Sequence, residues 1–310
     1  MFLQNMMTAA TQVAILYIIV LIGFICGKIG IYTADTARKT TDLLFYIVTV
    51  AVIVNSFAQM KFSADKVRSF CIALFANLLM FLFYIFVSKP FFRKKDDKDP
   101  VFRFATIYGN CAYMGIPLTS AILGPEGVFY ASTGIIIFNI ICFIQGVRMM
   151  TKEEYKFGLK KVLINPGVIG IAIGLPIFLS GLTLPLIVSK PIGFIADMNT
   201  PLAMIIFGTY LAETELKTIF KEKKILLVAL LKLVVNPIIV LFAYRLCGLT
   251  GTILVALTIT AAVPSANNTI LFAAKYGRDT GVASKTVGAI NLFSILTLPV
   301  VIAIAQTVGA

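Results

Sequence analysis

Over 310 residues the chain is 59% apolar and only 13% charged, with the charges clustered between long apolar runs, which excludes an ordinary soluble domain. It has no histidine, which removes the commonest proton relay and transition-metal ligand and any mechanism that needs an imidazole base. The net charge of +13 alternates loop by loop, a pattern expected of membrane topology and not of a basic surface for nucleic acid or anionic lipid.

Residues 1–10 lack a positive n-region and no cleavage pattern follows the first apolar run, so a retained spanning helix is expected there. Ten runs are long enough to cross a hydrocarbon core of ~30 Å. They are residues 11–30, 43–59, 70–88, 101–123, 128–149, 162–181, 195–211, 225–247, 251–275 and 282–305. The third, fifth and eighth are the clearest, whereas Asp197, Asn199 and Pro201 crowd the start of the seventh. Asp35, Asp42, Asp197 and Glu213 sit near helix ends, as solvated or capping residues do.

The first run carries Gly23 and Gly27, and the same pair recurs 147 residues later as Gly170 and Gly174 in the sixth. Small residues four apart mark close helix packing, so these are read as scaffold contacts. The fourth run, TIYGNCAYMGIPLTSA at 106–121, is interrupted by Pro117; the ninth, TITAAVPSANNTILFAA at 258–274, by Pro264, again 147 residues on. A mid-helix proline removes a backbone donor and clashes with the carbonyl four residues back. The freed backbone groups must face protein or a watery cavity. A matched pair of broken helices is a sequence pointer to the substrate site of a repeat-built transporter, and the N-terminal ends of half-helices favour an anion. Asn110 and Tyr113 beside the first break, and Ser265, Asn267, Asn268 and Thr269 beside the second, are the expected substrate donors. A plain proline kink with amides bonded to neighbouring helices is the competing reading, as it is for Asn55, Asn139 and Asn291.

In the eighth run Lys232 is the one charge well inside an apolar helix. Two roles stand open: positive charge for an anion site or in place of a coupling cation, and a structural bond to a broken helix's carbonyls. Asn236 lies one turn on. The five cysteines all fall in apolar runs without metal-type spacing and read as small packing residues.

Twenty-one of the 27 Lys and Arg lie in the loops around 28–39, 89–103, 148–161, 217–224 and 275–285; five lie in the intervening loops. Lysine and arginine collect in the cytoplasm, which puts both termini outside. Five runs per half make the second half enter from the opposite side, so residues 1–150 and 162–310 are expected to form inverted repeats joined by a cytoplasmic linker at 151–161. The fold class is therefore an all-α polytopic membrane protein of ten helices.

Nearly the whole chain resembles the auxin efflux carrier family, whose bacterial members resemble malate and malonate permeases. The likeness is carried by GFICGKIGIYT at 23–33, NSF at 55–57, GNCAYMGIP at 109–117, TPLAMIIFG at 200–208 and LKLVVNP at 231–237. The run from VPSANN at 263 to YGRD ending at 279, and TLP at 297–299, extend it. The resemblance implies crossed, broken helices four and nine, a scaffold of helices one, two, six and seven, and a mobile transport domain from helices three to five and eight to ten. It further implies a homodimer in the plasma membrane, elevator-type alternating access, and organic carboxylate anions as substrates. By position it sets Asn110, Pro117 and Pro264 at the crossing, with Asn139 and Lys232 lining it. Where the family usually has a proline in the second helix this chain has Val50, which bears on the bend of that helix.

A symporter or antiporter of the same fold, coupled to Na⁺ or H⁺, is the nearest alternative. Such proteins usually place acidic residues at the crossing, and both broken runs lack them. Sodium held by carbonyls and amides leaves coupling open. No channel ring motif, metal site or cofactor motif is present, and neither a Ser–His pair nor a paired-Asp site is available for an intramembrane enzyme.

Overall fold

The computed structural model describes residues 2–94, 96–151, 164–212 and 222–310. Glu213, seven of the lysines counted above and the linker at 151–161 (Thr151 apart) lie outside the described residues. Among the described residues every regular element is helical, and the only β pairing is one isolated bridge.

The first helix, α1 (Phe2–Lys28), leads to α2 (Ala34–Leu43), where the Thr33 side chain accepts from the Thr36 N–H and caps the turn. A π-helical turn (Leu44–Val48) joins α2 to α3 (Thr49–Gln59). This widened turn exists without a proline at Val50; Thr49 Oγ1 donates to the Leu44 carbonyl at 2.9 Å. Ser63 caps α4 (Ala64–Ser88), accepting from the Lys66 N–H. Then come α5 (Asp99–Ile107), a break, a second π turn (Cys111–Gly115) and α6 (Ile116–Ile141). Within α6 the backbone leaves helical geometry at Gly124, φ 62° and ψ −156°, and Pro125 follows. The chain doubles back there, because Asn139 lines the same cavity as Asn110 and the Tyr108 hydroxyl reaches the Ile141 carbonyl. A third π turn (Cys142–Gly146) and α7 (Val147–Met150) close this half.

Asn165 caps α8 (Pro166–Ser180), which precedes α9 (Leu186–Asp197) and α10 (Asn199–Ala212). Here the sequence reading needs correction: Lys190, counted as a loop charge, lies inside α9, because the crowding by Asp197, Asn199 and Pro201 marks a helix junction and not a helix start. The eighth run is α11 (Lys223–Leu230), a fourth π turn (Leu231–Val235) and α12 (Asn236–Leu246). Beyond it lie α13 (Gly251–Ala262), α14 (Asn268–Lys275) and α15 (Thr280–Gly309), the last capped by Asp279. Among the described residues six helical stretches are long and apolar enough to cross a membrane, and shorter apolar helices cover 14–28, 166–180 and 251–262. The chain is a polytopic, multi-pass membrane protein.

Two helix pairs are packed through small residues. α1 lies along α10, where a Cβ on Gly23 would collide with the Ile205 carbonyl and one on Gly208 with the Val20 carbonyl. At this backbone contact Thr209 Oγ1 donates to the Gly23 carbonyl at 3.1 Å. α8 lies along α3, with Gly170 against Ile53 and Gly174 against Phe57.

The two ends of the molecule differ. At one, Phe57, Phe70, Phe129 and Phe178 form an aromatic cluster with centroid spacings from 4.8 to 6.4 Å. Beside it Ser56 Oγ donates to the Pro125 carbonyl at 2.6 Å, and Lys66 pairs with Glu126. At the other end polar ties hold the loops. Lys224 pairs with Asp99, and Arg278 donates to the Met150 carbonyl at 2.7 Å and to Asp97 Oδ1 at 3.1 Å. The backbone N–H groups of Asp99 and Lys98 hold the Asp96 carboxyl below the usual carboxylate range.

Candidate functional site

The two broken helices meet backbone to backbone. The Asn110 N–H donates to the Pro264 carbonyl at 2.7 Å and the Ala266 N–H to the Tyr108 carbonyl at 2.9 Å. This is an antiparallel bridge between Gly109 and Ser265, so each break satisfies the other's freed backbone groups. The first break is thus at Tyr108–Asn110, and the residue whose N–H the Pro264 carbonyl accepts from is Asn110; Pro117 lies outside the break.

Pro117 lies within α6, two residues beyond the second π turn, and its carbonyl accepts from Thr200 Oγ1 at 3.2 Å. A proline there gives the Tyr113 carbonyl no i→i−4 partner, which accounts for the widened turn at Cys111–Gly115. Pro237 stands in the same relation to the π turn that carries Lys232. Among the described residues, π turns deliver Phe45, Tyr113 and Lys232 to the crossing.

One face of the crossing opens on a cavity of about 40 Å³. The N-terminal ends of both second half-helices border it, through Gly109–Tyr113 and through Ala266 and Asn268. Asn139, Asn165, Phe45, Ile135 and Phe138 complete the lining, which holds no acidic residue. Asn110 Oδ1 accepts from the Tyr113 N–H at 3.3 Å and Asn165 Oδ1 from the Gly167 N–H at 2.9 Å, so neither amide nitrogen is spent on these caps. Asn139 instead donates its Nδ2 to the Ile135 carbonyl at 2.8 Å, which leaves an oxygen. The Tyr113 ring stacks on Phe45 at 4.9 Å between centroids.

A second cavity of about 40 Å³ shares Asn110 and Tyr113 with the first and adds Asn267, Asn291, Phe207 and Tyr210. Those last four also line a cleft of about 600 Å³ that opens at the end of the molecule carrying Arg38 and Lys285. A lined path therefore runs from that end to the crossing.

The other face is closed. Ser265 Oγ donates to the Ala105 carbonyl at 2.7 Å, at the C-terminal end of α5. Lys232, 1% exposed, donates its Nζ to the Ala261 carbonyl at 3.3 Å, at the C-terminal end of α13. The Tyr84 hydroxyl donates to the same carbonyl at 3.2 Å, and the Tyr84 ring lies 5.1 Å from the lysine Nζ. A cation at a helix C-terminus complements its dipole. Insertion scales put a central lysine at about 3 kcal/mol unfavourable. A hydrogen bond from a charged donor contributes about 2 kcal/mol and a desolvated cation–π contact about 2 kcal/mol, which together offset that cost without a counter-ion.

Of the residues singled out from the sequence, Asn110, Tyr113, Asn139 and Asn268 come together around the first cavity, and Asn267 lines the second cavity and the cleft. Ser265, Pro264, Pro117 and Lys232 do not line these cavities, and Thr269 Oγ1 is buried without a partner among the described residues. Asn165, Phe45, Phe207 and Tyr210 were not anticipated. An asparagine directly before Pro166 is a helix-start signal that marks Asn165 as a cap; nothing separates Phe45 from other aromatics of an apolar run.

Comparison with known proteins adds the following. The family described as membrane transport protein matches residues 8–302. An uncharacterized transporter of Methanocaldococcus jannaschii is 23% identical over 300 residues, covering 92% of this chain and 95% of its own. A protein of Rhizobium meliloti named "Putative malonate transporter" is 21% identical over 291 residues, covering 90% of each.

Proposed function

The chain belongs to the membrane transport protein family, that of the auxin efflux carriers, and is a transporter and not an enzyme; from this and the crossing geometry we propose that it carries small organic carboxylate anions. The observation that carries the reading is the cavity where two half-helix N-termini and the amides of Asn110, Asn165 and Asn268 converge with no carboxylate in the lining. Such a donor set suits an anion, because N–H groups at helix starts and the helix dipole both favour negative charge. The malonate in the name of the Rhizobium meliloti relative fits this class.

Elevator-type alternating access in a ten-helix inverted repeat is part of the proposal. Its support is reciprocal packing: the first span lies on the seventh as the sixth lies on the second, each through a glycine pair four residues apart. In this reading α1–α3 and α8–α10 are the scaffold, and the remaining helices, tied by the crossing and by Arg278, move as one body. With positive charge inside, both termini are extracellular, the cleft at Arg38 and Lys285 faces the cytoplasm, and the phenylalanine cluster seals the outer side. Residence in the plasma membrane and a homodimer through the scaffold, which the family resemblance implies, complete the assignment. Asn110, Tyr113, Asn139 and Asn268 bind substrate, Asn267 lies on its path, and Pro117, Pro264, Ser265 and Lys232 position the breaks.

Uptake of labelled malonate, malate and an aromatic acetate into proteoliposomes, with and without Na⁺ and an imposed potential, tests the reading. Saturable uptake of one acid is the expected result, and its ion dependence identifies the driving force. Cation flux without uptake of any acid would overturn it.

A further inference from the structure

The cytoplasmic cleft holds two cations that the crossing does not use. Arg38, on α2, stands on the wall that also carries Phe207, Tyr210 and Leu211; Lys285, on α15, stands on the wall that carries Asn267 and Leu271. No acidic residue lines the cleft. Both cations are exposed, and among the described residues neither is in an ion pair. The neighbouring charges are otherwise engaged: Lys39 pairs with Asp35 at 2.9 Å, and Asp279 Oδ1 accepts from the Val282 N–H at 2.8 Å. Asp42, one turn beyond Arg38, makes no ion pair with it.

We infer that Arg38 and Lys285 form an anion-docking site at the mouth of the cleft, distinct from the crossing cavity, which takes a carboxylate from the cytoplasm and hands it inward past Asn267 and Asn291. The inference rests on the reading of the cleft as the cytoplasmic entrance. Charges of one sign in a cleft with low-dielectric walls focus the field and raise the local concentration of counter-ions. A guanidinium grips a carboxylate in bidentate fashion, while the ammonium acts as a point charge. The volumes agree with this division: about 600 Å³ admits a whole small acid, whereas about 40 Å³ at the crossing holds only its head group. One cation belongs to the scaffold and one to the moving body, so the pair is assembled only while the cleft is open, and the site is lost once the body moves.

Ser284 lines the same cleft and is exposed, which makes Ser284→Cys a local reporter. Its rates with an anionic and a cationic methanethiosulfonate are measured in the full-length protein, each divided by the reagent's rate with a free thiol. The chain without the added cysteine gives the background. The site predicts a preference of about tenfold for the anionic reagent, falling towards unity when Arg38→Gln and Lys285→Gln are added. Equal rates before those changes, or a preference that survives them, would overturn the inference. In transport, the same two changes are expected to raise the malonate KM several-fold from the cytoplasmic side and leave it unchanged from the outer side. A protein that prefers the anionic reagent but moves no carboxylate retains the docking site and loses only the proposed substrate.

Discussion

The two faces of the crossing are built from residues a few positions apart, yet they do different work. On the closed face Ser265 and Lys232 give their donors to the Ala105 and Ala261 carbonyls, the C-terminal ends of the two first half-helices. On the open face the N-terminal ends of the second half-helices border a cavity with amide nitrogens of Asn110 and Asn165 left over after capping. A broken helix leaves orphan carbonyls on one side and orphan N–H groups on the other. The protein repairs the carbonyls with its own side chains and leaves the N–H side for a ligand. Polar residues beside a helix break are thus of two kinds, and in the proposed function those on the N–H side are the substrate donors.

Changes on the open face are expected to act on transport, and changes on the closed face on stability. The largest effect is expected for Asn110→Ala, which removes both a cap and a donor: malonate uptake falls at least tenfold, ~1.4 kcal/mol, while the folded yield of purified protein stays near that of the parent. Uptake equal to the parent's would take Asn110 out of the site. Next comes Lys232→Met, which keeps the volume but leaves Ala261 with Tyr84 alone. Thermal unfolding in detergent is expected to show a net loss of about 1–2 kcal/mol, because the hydrogen bond and cation–π contact that are lost outweigh the cost of burying the charge that goes with them, with the malonate KM unchanged; a raised KM at full stability would move Lys232 to the open face. Gly109→Ala sets a Cβ 2.8 Å from Lys232 Nζ and 2.9 Å from Val263 Cγ2, so the crossing must shift, at a cost of about 1–3 kcal/mol. The smallest effect is that of Ser265→Ala, which loses one hydrogen bond: about 1 kcal/mol, a fall of a few degrees in Tm and no change in KM.

Hydropathy made the apolar helices and the presence of two interrupted ones legible in the sequence. The faces were not, because irregular backbone has no period from which to project a side chain. Ser265 and Asn268 are three residues apart and end on opposite sides of the bridge. The proline pair misled for a physical reason: Pro264 sits in a break, whereas Pro117 widens a turn inside a helix, and both remove the same donor. The equal 147-residue offset of those prolines is not the structural match, since the bridged residues Gly109 and Ser265 are 156 apart. The position of Lys232 in an apolar run does not separate its two roles; the Ala261 carbonyl and the Tyr84 ring around it favour the structural one.

The most direct measurement is the concentration dependence of labelled malonate uptake by the parent, Asn110→Ala and Lys232→Met in the same proteoliposomes, each normalised to folded protein. The two-faced crossing predicts that uptake collapses in Asn110→Ala and keeps the parent's KM in Lys232→Met. A raised KM in Lys232→Met beside an unaffected Asn110→Ala would contradict it.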